Sequence, residues 1–346
     1  MPFGSVIECN LIAGVIMRRR EFITLSSFAA ALSMFRPLAA WAQQPALPVV
    51  AFIRDSSAEA DARHVTAFRK GLNETSYVEG RNVTVEYHWL EGRLDRGAAL
   101  IADLVRRQVA VIATPGTTLS IAAKAATTTI PIVFGVATDP VQLGLVASLA
   151  RPGGNATGIN FFVNEVATKR LRLLHDLVPK AVRIAVLINP TSASVAEATL
   201  RDVQNAAPTL GLQIQVLNAS TIGEIDAAFA ALARERTDAL FVAGDAFFVS
   251  RAVQLATLTA INKIPSAYSV RELAAAGGLM SYGTDLADMF HQVGVYTGSI
   301  LKGAKPADLP VLQSSKFEFI INLQTARALG IEVPQGLLLI ADDVIE

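Results

Sequence analysis

From Val49 onward, short runs rich in Val, Ile, Leu and Ala alternate with amphipathic stretches of roughly 10–15 residues, and this alternation constrains the fold more than any other feature. Strands separated by helices of that length make βαβ units, whose strands lie parallel and are buried under helices on both faces. Strand-like runs are expected at 49–53, 83–89, 109–113 and 130–136 in a first half. A second half repeats them at 182–188, 212–217, 239–243 and 264–268. Between them, His64, Phe68 and Leu72 fall on one helical face, as do Leu94, Ala98, Ile101 and Val105. Further helices are expected after 118, after 192, over 222–233, up to 262 and over 286–301, with a closing extended run at 317–321. The halves are expected to part near Arg151-Pro152-Gly153-Gly154-Asn155, where a glycine pair tolerates backbone rotation. The expected class is α/β, with two similar Rossmann-like lobes on parallel sheets and a hinge between them.

Composition narrows the function. The 346 residues are 52% apolar and 17% charged, with zero formal net charge. Apolar runs after residue 42 are broken every few positions, so none approaches the roughly 20 residues of a membrane-spanning helix. No Lys/Arg run exists beyond Arg106-Arg107, and without residues 1–42 the chain is slightly acidic, so nucleic acid is not an expected partner. Cys9 is the only cysteine, which leaves the rest without a disulfide, a Cys-based zinc site or a thiol nucleophile. Met17-Arg18-Arg19-Arg20-Glu21-Phe22-Ile23 opens an apolar stretch over 24–35, and Pro37 precedes Ala40-Trp41-Ala42, a small-x-small cleavage site. Residues 1–42 are therefore expected to be an upstream extension plus a cleavable signal peptide, with Met17 as the true start. Arg19-Arg20-Glu21-Phe22-Ile23 suits the twin-arginine route, and the expected location is the periplasm.

In parallel sheets a ligand sits beyond the carboxyl ends of the strands, where helix amino termini converge. The residues expected there are Ser56, Ser57, Thr117, Thr118, Thr138 and Asp139 in the first half, and Thr191, Ser192, Asp245, Phe247 and Tyr268 in the second. Hydroxyls and free backbone N–H groups suit a carboxylate. Asp245 suits an ammonium, and the aromatics suit an apolar or ring-bearing side chain. Together they outline a pocket for an amino-acid-like zwitterion. Each also has an ordinary role open to it: Ser, Thr and Asp before helices are N-caps, Asp139-Pro140 above all, and Phe247 or Tyr268 could be core. There is no G-x-G-x-x-G, P-loop, G-x-S-x-G or H-E-x-x-H motif. His64, His88, His175 and His291 are scattered and expected at surfaces or edges. Neither a metal nor a cofactor is expected, and Asp342-Asp343 in the terminal segment are expected to be solvated.

Longer motifs carry a resemblance. Ile130-Pro-Ile-Val-Phe134, Thr138-Asp-Pro-Val141 and Gly144-Leu-Val-Ala-Ser-Leu-Ala-Arg-Pro-Gly-Gly-Asn-Ala-Thr-Gly158 resemble hallmarks of ABC transporter substrate-binding proteins related to the tryptophan/tyrosine-binding proteins. So do Ala274-Ala-Ala-Gly-Gly-Leu-Met-Ser-Tyr-Gly283, Leu301-Lys-Gly-Ala-Lys-Pro-Ala-Asp-Leu-Pro310, Lys316-Phe-Glu-Phe-Ile-Ile-Asn-Leu323 and Ala341-Asp-Asp-Val-Ile-Glu346. The resemblance spans nearly the whole chain. It implies a type I periplasmic-binding-protein fold, with residues 43–158 and 284–308 in an N-terminal lobe and 159–283 and 309–346 in a C-terminal one. It also implies a monomer that closes on a small molecule and delivers it to ABC permease subunits, with an aromatic amino acid as the favoured ligand. Arg54-Asp55-Ser56-Ser57 departs from the Gly/Ser-rich loop of such proteins, which leaves open whether Arg54 or Asp55 reshapes the pocket. Two rivals stay open: an exported enzyme on a Rossmann-like scaffold, which would need a nucleophile–base pair in the cleft, and a sensor ectodomain or soluble partner of a signalling receptor, which would share the fold and the ligand.

Overall fold

The computed structural model describes residues 47–161 and 166–346, so the export segment expected over 1–42 lies outside the described residues. The first part of the chain runs β1 (Val49–Arg54), α1 (Ala62–Glu74), β2 (Thr84–Trp89), α2 (Gly97–Arg106), β3 (Val111–Pro115), α3 (Thr117–Ala126), β4 (Ile132–Val136) and β5 (Ala156–Asn160). It continues through α4 (Ala167–Leu177), β6 (Arg183–Ile188), α5 (Ala193–Ala206), β7 (Gln213–Asn218), α6 (Ile222–Glu235), β8 (Ala239–Val242), α7 (Ala246–Ser250), α8 (Ala252–Ile261), β9 (Ser266–Tyr268), α9 (Arg271–Ala275) and β10 (Met280–Thr284). It ends with α10 (Leu286–Leu301), β11 (Leu312–Gln313), β12 (Phe317–Asn322), α11 (Leu323–Leu329), α12 (Gln335–Ile340) and β13 (Asp343–Ile345). No helix among the described residues is long and apolar enough to cross a membrane.

Two sheets result. The first has the order β11-β5-β4-β3-β1-β2, and all its pairings are parallel. The second has the order β13-β12-β10-β9-β8-β6-β7, parallel except where β12 meets β10. The α/β class with two similar lobes, read from the alternation, is the architecture observed. Central strands such as β3 and β4 are buried at every position, which is why they appear as continuous apolar runs. Side-chain alternation divides each sheet between two cores: Val50 and Phe52 of β1 face α1 and α10, and Ala51 and Ile53 face α2 and α3. In the second lobe Val186 and Phe241 face α4 and α5, and Leu187 and Val242 face α6 and α8.

The crossings between lobes differ from the expected ones in place. Arg151-Pro152-Gly153-Gly154-Asn155 is not the hinge; it turns β4 into β5 inside the first lobe. Asn155 ties it down, donating to the carbonyls of Thr127 and Ile130 at 3.0 and 2.8 Å. The chain leaves the first sheet only after Asn160 and joins the second lobe with α4. It returns between Thr284 and α10, and crosses again between β11 and β12, because Leu312 and Gln313 still pair with β5. The return therefore falls at 314–316, later than 309. Nor are Asp342 and Asp343 merely solvated: Asp342 accepts the Phe319 N–H at 2.7 Å, and Asp343 pairs with Arg271 as β13 joins the sheet.

Candidate functional site

Both sheets share the order second-first-third-fourth-fifth among their first five strands. Each therefore has a switch point between its first and third strands, where the connecting loops turn to opposite faces and leave a crevice. In the first lobe the crevice lies between the ends of β1 and β3. Arg54, the last residue of β1, spans it: its Nη1 donates to the Pro115 carbonyl at the end of β3. Its Nε donates to Asp61 Oδ2 at 2.7 Å, and its guanidinium lies 5.1 Å from the centre of the Phe290 ring. Arg54 thus lies across this crevice, and Asp55 is a 3.8 Å ion-pair neighbour. Thr117 and Thr118 begin α3 behind Gly116, and no side chain caps that helix end. Its first-turn N–H groups carry partial positive charge toward the crevice.

The remaining expected residues of the first lobe are held locally. Ser56 donates to Asp61, and Ser57 Oγ receives the Ala60 N–H at 3.4 Å. Asp139 accepts the Val141 N–H at 2.8 Å, a local turn contact ahead of Pro140. The Thr138 carbonyl is fixed by Asn160 Nδ2 at 3.0 Å, and the same amide holds the Val136 carbonyl at 2.9 Å.

In the second lobe the crevice lies between β6 and β8, and Asp245 spans it as Arg54 spans the first. One oxygen accepts from Asn189 Nδ2 and from the Phe247 N–H, each at 2.9 Å; the other accepts from Ser192 Oγ at 2.6 Å. Thr191 donates to Asn189 Oδ1 at 2.7 Å, which completes the loop. Asp245 is therefore the N-cap of α7 as well as a half-exposed anion at the switch point. Phe247 is half-buried beside Phe248, with ring centres 5.6 Å apart. Tyr268 departs from the expectation: it is wholly buried in the second-lobe core with its ring against Gly278, because its position on β9 points it to the α6–α8 face.

The groups that join the lobes were not read from the sequence. His64, expected at a surface, is 4% exposed and stacks on Phe290 at 4.4 Å. Its Nδ1 is 2.7 Å from Asp61 Oδ1 in the first lobe, and its Nε2 is 3.1 Å from Glu272 Oε1 on α9 in the second. Beside it, Arg63 reaches Glu318 at 3.2 Å and Asp285 at 3.7 Å. The carboxyl of Asp61 is held far below its ordinary range: burial opposes the charge, but donors from His64, Arg54 and Ser56 outweigh it. Glu318 moves upward because burial exceeds the help of Arg63. The i, i+3 spacing of Asp61 and His64 was the available signal, but nothing in sequence connects either to Glu272.

Two α/β lobes of mostly parallel strands, joined by three crossings and carrying polar loops at both switch points, make the type I periplasmic-binding-protein fold. The chain belongs to the ABC transporter substrate binding protein family, whose model matches residues 47–345. A tyrosine-binding protein of Clostridioides difficile is 29% identical over 265 residues, covering 77% of this chain and 76% of that protein. An ABC domain of Streptococcus pneumoniae in complex with L-Trp is 25% identical with a TM-score of 0.76, covering 87% of this chain and all of that one. A conserved domain protein from Vibrio cholerae is 26% identical with a TM-score of 0.74, over 86% of this chain and 99% of that one.

Proposed function

We propose that this chain is the periplasmic, monomeric binding component of an ABC importer, and that it closes its two lobes over an amino acid, aromatic ones foremost. The observation that carries the reading is the pair of switch points, one spanned by Arg54 and the other by Asp245. A ligand with a carboxylate toward the first and an ammonium toward the second would have both charges met, without which burial of a zwitterion costs several kcal/mol. Arg54 is partly neutralised by Asp61, so the open amino end of α3 shares the task of holding the carboxylate. The half-buried Phe247 offers an apolar wall beside Asp245. The tyrosine-binding relative and the L-Trp complex support the same ligand class.

Isothermal titration with L-tyrosine and L-tryptophan tests this directly. Because Asp245 also caps α7, Asp245→Asn is the cleaner variant than Asp245→Ala: an amide still accepts the Phe247 N–H but has lost the charge. Asp245→Asn should weaken L-tyrosine by roughly tenfold or more, the worth of a charged hydrogen bond. It should scarcely alter 3-(4-hydroxyphenyl)propionate, which lacks the ammonium. Equal losses for both ligands would remove Asp245 from the ammonium site.

A further inference from the structure

His64 sits between two carboxylates and touches both. An ionised carboxylate only accepts hydrogen bonds, so each ring nitrogen facing one must carry a proton. Asp61 is ionised, since it also takes Arg54 Nε at 2.7 Å and Ser56 Oγ. Glu272 receives from His64 on Oε1, while its Oε2 is buried and has no partner. A neutral His64 could satisfy one carboxylate and would turn a lone pair on the other. Asp61 keeps its arginine in that case; Glu272 keeps no side-chain donor.

We propose that His64 is a positioning residue for lobe closure: as an imidazolium it bridges Asp61 of the first lobe to Glu272 of the second, and the tie between lobes is lost when the ring gives up a proton. The proposal rests on the two-lobe closure reading above. His64 and Glu272 lie near the starts of α1 and α9, on the loops' side of both sheets, so separating the facing ends of the lobes breaks the 3.1 Å contact. The charged groups around the ring alternate in sign. Arg54 and Asp61 approach from the first-lobe loop, Arg63 adjoins it on α1, Glu272 faces it from α9, and Asp285 and Glu318 hold Arg63 from the α10 cap and β12. Phe290 of α10 covers the ring face. Burial alone would lower the His64 pKa, but the hydrogen bonds and attraction of Asp61 and Glu272 raise it above the ordinary 6.5.

The sign follows by linkage. The bridge contributes fully below 6.5 and is lost as pH rises through the higher value of the folded protein. Residues 43–346 contain no cysteine, so Asp95→Cys and Gly223→Cys introduce two labelling sites, both exposed and both on the edges remote from the crossings. Förster transfer between dyes at these sites reads the lobe separation from pH 5.5 to 8.5, a window in which L-tyrosine stays predominantly zwitterionic. The separation should increase with pH, with a midpoint above 6.5, and L-tyrosine affinity should fall by roughly fivefold or more across the window. His64→Gln and Glu272→Gln should each flatten both profiles. A wild-type separation that ignores pH, or variants that keep the wild-type profile, would overturn the proposal. Absence of L-tyrosine binding at every pH, with the separation still pH-dependent and flattened by His64→Gln, would support the bridge while sinking the amino-acid reading.

Discussion

Arg170 carries a charge into the core of the second lobe. It lies on α4, wholly buried, with Nη1 3.4 Å from the Tyr282 carbonyl and its guanidinium 4.3 Å from the Phe241 ring centre. Nε and Nη2 have no partner and no carboxylate pairs with it among the described residues, so burial pushes its pKa down to about 9. An uncompensated buried charge is destabilising, and an apolar replacement of similar length keeps the stacking and packing while removing the cost. Arg170→Met should therefore raise the thermal unfolding midpoint, by the equivalent of about 1 kcal/mol or more. A lower midpoint would mean that the guanidinium is better compensated than its surroundings indicate. The Asp61–His64–Glu272 group behaves oppositely, since every charge there has a partner. Glu272 is opposed by burial but held below its ordinary 4.5 by His64, and Asp61 is held lower still. Their contribution is present above the ordinary carboxylate values and lost as pH falls through the depressed ones. Together with the loss on the alkaline side of His64, the bridge is whole only between the lowered carboxylate values and the raised His64 value.

At the scale of elements, α1 and α10 pack backbone to backbone, and Gly71 and Gly294 permit it. A Cβ on Gly71 would sit inside the His291 carbonyl, and one on Gly294 inside the Phe68 carbonyl. Gly294→Ala should force the helices apart and cost about 1–3 kcal/mol in a denaturant melt, as overpacking does. Gly223→Ala on α6, where the added methyl meets open space, should be neutral or mildly stabilising. Equal effects would mean that the close approach is not what these glycines serve. The same pair shows what sequence could and could not disclose. The helix expected over 286–301 is α10, and its start is fixed by Asp285, whose Oδ1 accepts the Asp288 N–H at 3.2 Å. Its glycine face is invisible without the partner helix. The short strands β10, β11 and β13 escaped notice for a related reason: Ser281 and Gly283 interrupt the apolar pattern in one, and the other two are only two and three residues long.

At the scale of the molecule, the repeat of one strand order in both lobes explains why loop chemistry was legible before tertiary contact was. Ser56, Thr117, Thr191, Ser192 and Asp245 follow strands, and strand ends can be read from composition. Tyr268 also ends a strand, but which face it takes depends on register, and register placed it in the core. The hinge was misplaced because Gly153-Gly154 signals a turn without saying whether the next strand stays in the same sheet, as β5 does. His64, Glu272 and Arg63 join segments about two hundred residues or more apart, a relation that no local pattern encodes. The central claim is that the two lobes close on an amino acid. Small-angle X-ray scattering of the chain with and without saturating L-tyrosine at pH 8.5, on the side where the His64 bridge is weakened, with occupancy fixed by titration, tests it most directly. The account predicts a smaller radius of gyration in the bound state. Saturable binding with superimposable scattering curves would contradict it.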